Sequence, residues 1–268
     1  MCPQSTQDDF AGDTNSFYRR TIHVLGDAGV PFLVGGSHAF LHYTGIERAT
    51  KDLDLFVRHG DVHRGLQALA AAGYRTDLAF PHWLGKAYYA DDFADLIFSS
   101  GNGICVVDDE WFEHAVEAEV LGVPVKLAPP EEYLWQKAFL MERERYDGAD
   151  VMHLLHACAD RLDWERLMRR FAGWGQLLYS YLVLYAFVYP SDIARIPGAI
   201  MAELRGQLDA QLAAPPVDEV VCQGTLISRQ QYLVDIGRWG YRDARLAPRG
   251  SLSPEDVIYW TWAIGHIA

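Results

Sequence analysis

The chain is poor in cysteine, with four in 268 residues, at positions 2, 105, 158 and 222. None pairs with another in a C-x-x-C spacing, which argues against a zinc ribbon and a disulfide-stapled scaffold and points to free thiols in a reducing, cytoplasmic setting. Basic charge is short as well. Lys and Arg number 23 against 36 Asp and Glu, a formal net charge of -13, so the surface as a whole repels polyanions and anionic membranes. Long apolar runs are missing. The longest, Leu177 to Tyr189, spans about 13 residues, short of the roughly 20 that cross a bilayer, and reads as a buried helix. The start of the chain is polar and acidic, with Asp8, Asp9 and Asp13, and shows neither the basic nor the apolar region of a signal peptide. Internal repeats and low-complexity tracts are also lacking.

What is present is ordinary globular composition, half of it apolar and 13% aromatic, enough to bury a sizeable core. Helical periodicity covers Phe17 to Ala28. A short apolar run, Phe32 to Val34, feeds Gly35-Gly36-Ser37 and then a helical segment ending near Gly45. Strands are expected at Leu53 to Val57, Lys86 to Tyr89, Asp95 to Phe98, Val116 to Leu121 and Val123 to Leu127, with a helix at Val62 to Ala72. An acidic turn holding Asp91 and Asp92 joins the second and third strands, and Gly122 hinges the last two. After Pro129-Pro130 the pattern turns helical, over Glu131 to Arg145, Ala149 to Ala159, Trp164 to Phe171, Leu177 to Tyr189, Ile200 to Leu212 and Pro254 to Ile264. Cys222 to Tyr241 fits no single period.

The chemistry concentrates in Phe32-Leu33-Val34-Gly35-Gly36-Ser37 and, about fifteen residues on, Lys51-Asp52-Leu53-Asp54-Leu55-Phe56-Val57. On a strand side chains alternate, so Asp52 and Asp54 point to one side while Leu53 and Leu55 enter the core. Two carboxylates in one small volume repel each other unless a cation lies between them. A divalent metal is the economical occupant, and Mg²⁺ is held by a few carboxylates, water and substrate phosphate oxygens. Gly35 and Gly36 let the backbone approach an anion, the following helix N-terminus favours negative charge, and Ser37 adds a hydroxyl.

In this order the elements resemble the nucleotidyltransferase superfamily with the DNA polymerase β type fold. The stretch Val34 to Val57, with Gly45 and Arg48-Ala49-Thr50-Lys51-Asp52, is similar to its bacterial branch that includes the abortive-infection (AbiEii-type) toxins. The resemblance implies an α+β fold, with a nucleotidyltransferase domain over residues 1–128 whose mixed sheet is flanked by helices. A helical C-terminal domain over 129–268 would close the cleft. It also implies a third carboxylate, best matched by Asp95, with Asp52, Asp54 and Asp95 as catalytic metal ligands for Mg²⁺ (or Mn²⁺) and an NTP as substrate. Gly35, Gly36, Ser37 and Lys137 would meet the phosphates; Asp150, ahead of Asp147, and Thr50 would support the site.

The implied reaction moves an NMP from an NTP to a hydroxyl and releases pyrophosphate. The acceptor is open: a small molecule, a protein or an RNA end, the acidic surface favouring the first two unless Arg143 and Arg145 gather at the cleft. Two alternatives stand beside it, a tRNA-modifying toxin with an antitoxin-like protein partner, and a non-catalytic nucleotide-binding module. The histidine pairs His38/His42, His59/His63 and His153/His156 lack an H-E-x-x-H frame and are read as packed or exposed side chains. The aromatic residues of Trp174 to Tyr189 are read as packing.

Overall fold

The computed structural model describes residues 14–48, 50–215 and 219–263. Cys2, the acidic start with Asp8, Asp9 and Asp13, Ala49, Pro216 and Ile264 lie outside the described residues.

Helix α1 (Thr14–Asp27) carries Phe17, Tyr18, Thr21, Ile22 and Leu25 on its buried face. It ends where Gly29 takes φ +63°, a left-handed conformation that suits glycine. Strand β1 (Leu33–Val34) follows, buried at both residues, then α2 (Gly36–Thr44) and β2 (Asp52–Phe56). Next come α3 (Val62–Ala71), β3 (Arg75–Phe80), β4 (Leu84–Tyr89), β5 (Asp92–Ile97), α4 (Asp109–Glu113), β6 (Val116–Val120) and β7 (Val123–Leu127). The strands form one seven-stranded mixed sheet in the order β3-β4-β5-β2-β1-β7-β6. β2 and β5 run parallel, as do β1 and β7, and the other neighbouring pairs are antiparallel.

Two stretches without a strong apolar period have structure. β3, Arg75–Phe80, is an edge strand whose exposed positions include Arg75 and Asp77; a charged edge resists pairing with other chains and weakens the apolar signal. α4 is five residues long and anchored by the buried Trp111, whose ring lies 4.8 Å from that of Phe56. The predicted turn between β4 and β5 is shorter than expected: Tyr89 pairs directly with Asp92. Asp92 therefore opens β5 and accepts a hydrogen bond from Thr14 at 3.0 Å. Leu121 and Gly122, both at positive φ, make the reversal between β6 and β7.

The chain packs as two compact units. One comprises the segments up to Leu41, Glu47–Ser99 and Val106–Ala128, and holds the sheet; the other comprises His42–Ile46, Ser100–Cys105 and the chain from Pro129 onwards. The core of the sheet unit joins Phe17, Ile22 and Leu25 of α1 to Leu66 and Leu69 of α3 and to Leu53, Leu55, Ala94 and Leu96 of the sheet.

The second unit is mainly helical, with α5 (Pro130–Ala138), α6 (Gly148–Cys158), α7 (Trp164–Arg170), α8 (Gly175–Val188), α9 (Gly198–Ala213), α10 (Leu233–Gly237) and α11 (Pro254–Trp262). A two-stranded pair, β8 (Val221–Cys222) and β9 (Arg242–Asp243), lies in the stretch without a clear period. α5 begins on Pro130, whose missing N–H costs nothing in the first turn. It stops at Ala138, seven residues before the expected end at Arg145. Met141 donates instead to the carbonyl of Ile227 at 2.9 Å and bridges to Tyr146, which reverses the chain. α8 differs from the buried helix expected. Leu178, Tyr181, Leu182 and Tyr185 are buried, but Val183, Phe187 and Val188 are exposed. No helix among the described residues is long and apolar enough to cross a membrane.

Candidate active site

The residues after β1 explain why two adjacent glycines are needed. Gly35 donates its N–H to the carbonyl of Asp54 at 2.9 Å, so the β1–β2 ladder runs one residue past the strand. A Cβ on Gly35 would fall 2.2 Å from the Phe56 ring. Gly36 adopts φ +53°, and a Cβ there would fall 2.0 Å from Oδ2 of Asp54. The turn is thus cut to let a carboxylate lie against bare backbone. Ser37 follows in the first turn of α2, where N–H groups lack an intrahelical acceptor.

β2 alternates as its sequence dictates, with Leu53 and Leu55 buried and Asp52 and Asp54 half-buried on the other face. Parallel pairing puts Asp54 beside Asp95 of β5. Oxygens of Asp52, Asp54 and Asp95 lie within 4.8 Å of one another. Among the described residues this group of three is the one that can hold a metal ion, and no histidine belongs to it. An all-carboxylate donor set suits a hard cation such as Mg²⁺ or Mn²⁺. Together with the glycine cradle against Asp54, it fits the metal that the sequence implies.

Thr50 supports Asp52 locally: its hydroxyl lies 2.8 Å from Oδ1 and 2.9 Å from the main-chain carbonyl of Asp52. Burial pushes the Asp95 carboxyl above its ordinary value, Lys86 pulls it back, and Asp52 adds to the rise. Burial and the fields of Asp52, Asp92 and Asp54 push Tyr18 up to about 12. Its ring meets that of His38 edge-on at 5.6 Å. Among the described residues the Tyr18 hydroxyl and His38 Nε2 are buried without a hydrogen-bond partner, and burial lowers the His38 pKa. Lys86, Tyr18 and His38 carry no motif. The lone lysine in an apolar strand was the one visible signal, whereas Tyr18 and His38 depend on how two helices pack.

Lys137 and Asp150 lie in the helical unit. The Lys137 ammonium is 2.8 Å from Asp147 Oδ2 and 2.8 Å from Asp150 Oδ2, with all three residues buried. Asp150, expected ahead of Asp147 to support the site, thus shares Lys137 with Asp147. Arg145 also reaches Asp147, at 3.1 Å. Burial opposes ionisation of Asp147, but Lys137 and Arg145 hold its carboxyl below the ordinary range. Asp147→Asn is therefore expected to cost about 2 kcal/mol at neutral pH. A depressed pKa gives stability that is present above the unfolded value, about 3.9, and lost as pH falls through the folded one. Urea unfolding of both proteins between pH 7 and pH 2.5 checks it: the gap should close at the acid end, and a constant gap would refute the charge-pair origin.

Residues 14–157 match the family described as nucleotidyl transferase of unknown function (DUF2204). The chain belongs to this family. The match takes in the glycine turn, the three aspartates, Lys137, Asp147 and Asp150. The DUF2204 assignment and the mixed sheet flanked by helices agree on a nucleotidyltransferase fold and a transferase class. Among solved structures, the chain is similar to a nucleotidyltransferase-like antigen from Paracoccidioides brasiliensis, at 14% identity and TM-score 0.46, over 72% of this chain and 98% of that one. It is similar to the antibiotic-resistance factor ANT(2'')-Ia at 16% identity and TM-score 0.40, over 65% and 96%. It is also similar to the lincosamide antibiotic adenylyltransferase LnuA at 16% and 0.39, over 53% and 96%. No curated protein matches the chain.

Proposed function

We propose that this DUF2204 protein transfers a nucleoside monophosphate from an NTP to a hydroxyl group and releases pyrophosphate, with Asp52, Asp54 and Asp95 holding Mg²⁺ or Mn²⁺. The observation that carries the reading is the convergence of three carboxylates within 4.8 Å beside a glycine turn moulded on one of them. A bound divalent cation would neutralise triphosphate charge and acidify the attacking hydroxyl. The chain itself supplies the rest. The first turn of α2, with the Ser37 hydroxyl, offers donors and a positive dipole end to phosphate oxygens. Gly35 and Gly36 keep that approach free of side chains, and Asp95 accepts the proton of the acceptor hydroxyl. Lys137, which Asp147 and Asp150 hold, is assigned to phosphate binding as part of the same proposal.

The acceptor proposed is a small molecule or a protein side chain. A net charge of -13 makes a long polyanion costly to dock. The toxin reading, with a tRNA acceptor and an antitoxin-like partner, requires growth arrest on expression that Asp52→Ala abolishes.

The direct test incubates the protein with each NTP, Mg²⁺ and a panel of hydroxyl acceptors and follows pyrophosphate. NTP binding that is unchanged by chelating the metal would overturn the reading. Lys137→Met separates the two roles of that lysine. Loss of a phosphate contact weakens triphosphate binding about tenfold while AMP binding holds; a drop in stability with unchanged triphosphate affinity would leave Lys137 a structural clamp.

A further inference from the structure

The proposed reaction uses three aspartates and leaves Lys86 unexplained. Strand pairing sets Lys86 opposite Asp95 across β4 and β5, and Asp95 opposite Asp54 across β5 and β2. Directly opposed residues on neighbouring strands share a face. Across β4, β5 and β2 one row therefore carries a cation and two carboxylates. Lys86 and Asp95 are 9% and 8% exposed, and the ammonium lies 2.7 Å from Oδ1 of Asp95. The register also places Lys86 opposite Asp77 of the edge strand, at an exposed position. Charge balance at the sheet edge alone would be met more cheaply there, because a lysine can run its stem over apolar surface and keep its charge in water. Instead the ammonium turns inward, over the Phe93 ring at 4.4 Å, and gives up hydration that only a well-placed partner offsets.

We infer that Lys86 is a positioning residue that holds Asp95 by one oxygen and sets which form of metal the site accepts. The inference rests on the metal-dependent reading above. A buried positive charge beside the carboxylates repels a bare dication. It attracts a metal already bound to a triphosphate, because that complex is an anion. Lys86 thus disfavours idle filling of the site by free metal and favours arrival of metal and nucleotide together.

The test measures Mn²⁺ binding by electron paramagnetic resonance, without nucleotide and with a non-hydrolysable NTP analogue. It compares the wild type with Lys86→Gln, Lys86→Met and Lys86→Arg. Neutral variants should bind Mn²⁺ alone about tenfold more tightly, and the Mn²⁺–analogue complex several-fold more weakly; Lys86→Arg should restore both. Such opposed shifts cannot come from simple loosening of the sheet. Lys86→Gln keeps a hydrogen-bond donor for Asp95 and serves if Lys86→Met fails to fold. Affinities that move together, or not at all, would overturn the inference about Lys86. A wild type that takes up no Mn²⁺ with or without the analogue would instead sink the metal-dependent reading itself.

Discussion

Gly36→Ala is expected to lower kcat/KM for NMP transfer by about a hundredfold or more, with the protein still folded. The backbone at φ +53° costs an alanine about 1 kcal/mol, an ordinary loss for a domain of this size. The larger effect is steric. The new Cβ would lie 2.0 Å from Asp54 Oδ2 and 2.9 Å from its Cγ, so the carboxylate must rotate or the turn must open. Either movement is of the order of an ångström, and misplacement on that scale costs reacting groups about a hundredfold. Gly45→Ala is the matched control: its φ is +71°, yet nothing lies within 4 Å of the added Cβ. Both variants should lose similar stability in urea, and Gly36→Ala alone should lose turnover. Equal activity in the two would show that Asp54 is not where the chemistry happens.

The glycine turn and the phase of β2 were legible because both are local. Alternation alone puts Asp52 and Asp54 opposite Leu53 and Leu55, and the burial of β2 follows it from Asp52 to Leu55 before Phe56 breaks the pattern. The third carboxylate was not legible in this way. Asp95 meets Asp54 through a parallel pair, and parallel strands have no short turn from which a register can be counted. Asp95 came from family resemblance, and the sheet supplies the pairing. Lys86 was within reach of a count. β4 and β5 are antiparallel and joined through Ala90 and Asp91, so stepping back from the Tyr89–Asp92 pair leads to Lys86 opposite Asp95. Placing Asp92 in the turn hid that step.

The helical unit was legible in its elements and less so in their ends. α6, α7 and α9 match their apolar periods within a few residues, and α11 opens on a capping box of Ser253 and Asp256. α5 stops early because of a tertiary bond from Met141 to Ile227, far along the chain, which no local propensity encodes. The same reversal returns Asp147 and Asp150 to Lys137. Glu131 and Glu132 were equally invisible as core residues, because acids are rarely buried unless paired. Here Arg166 meets both, and Arg170 lies 3.0 Å from Glu132.

Asp54→Asn is expected to act in opposite directions on stability and on function. Three carboxylates within 4.8 Å share one sheet face, and the Lys86 ammonium lies on just one of them, Asp95. In metal chelator the triad therefore stores repulsion that an amide of the same shape relieves. A gain of about 1 kcal/mol, or roughly 2–4 °C in Tm for a chain of this size, is the expected scale. With Mg²⁺ and NTP the order reverses, because a ligand that binds only the folded state stabilises it by mass action and the variant has lost a ligating oxygen. Turnover should fall on the order of a thousandfold, as when one preorganised group that meets transition-state charge is removed. Thermal scans in chelator and in Mg²⁺–NTP, alongside pyrophosphate release, check all three. A variant less stable than wild type in chelator would mean that the Asp54 carboxylate's own interactions in the fold outweigh the repulsion within the triad. The acidic cluster would then be a structural feature of the sheet, with no need of a cation. A crossing of the two Tm orders on adding Mg²⁺ and NTP is what a site built for charge it does not itself supply must show.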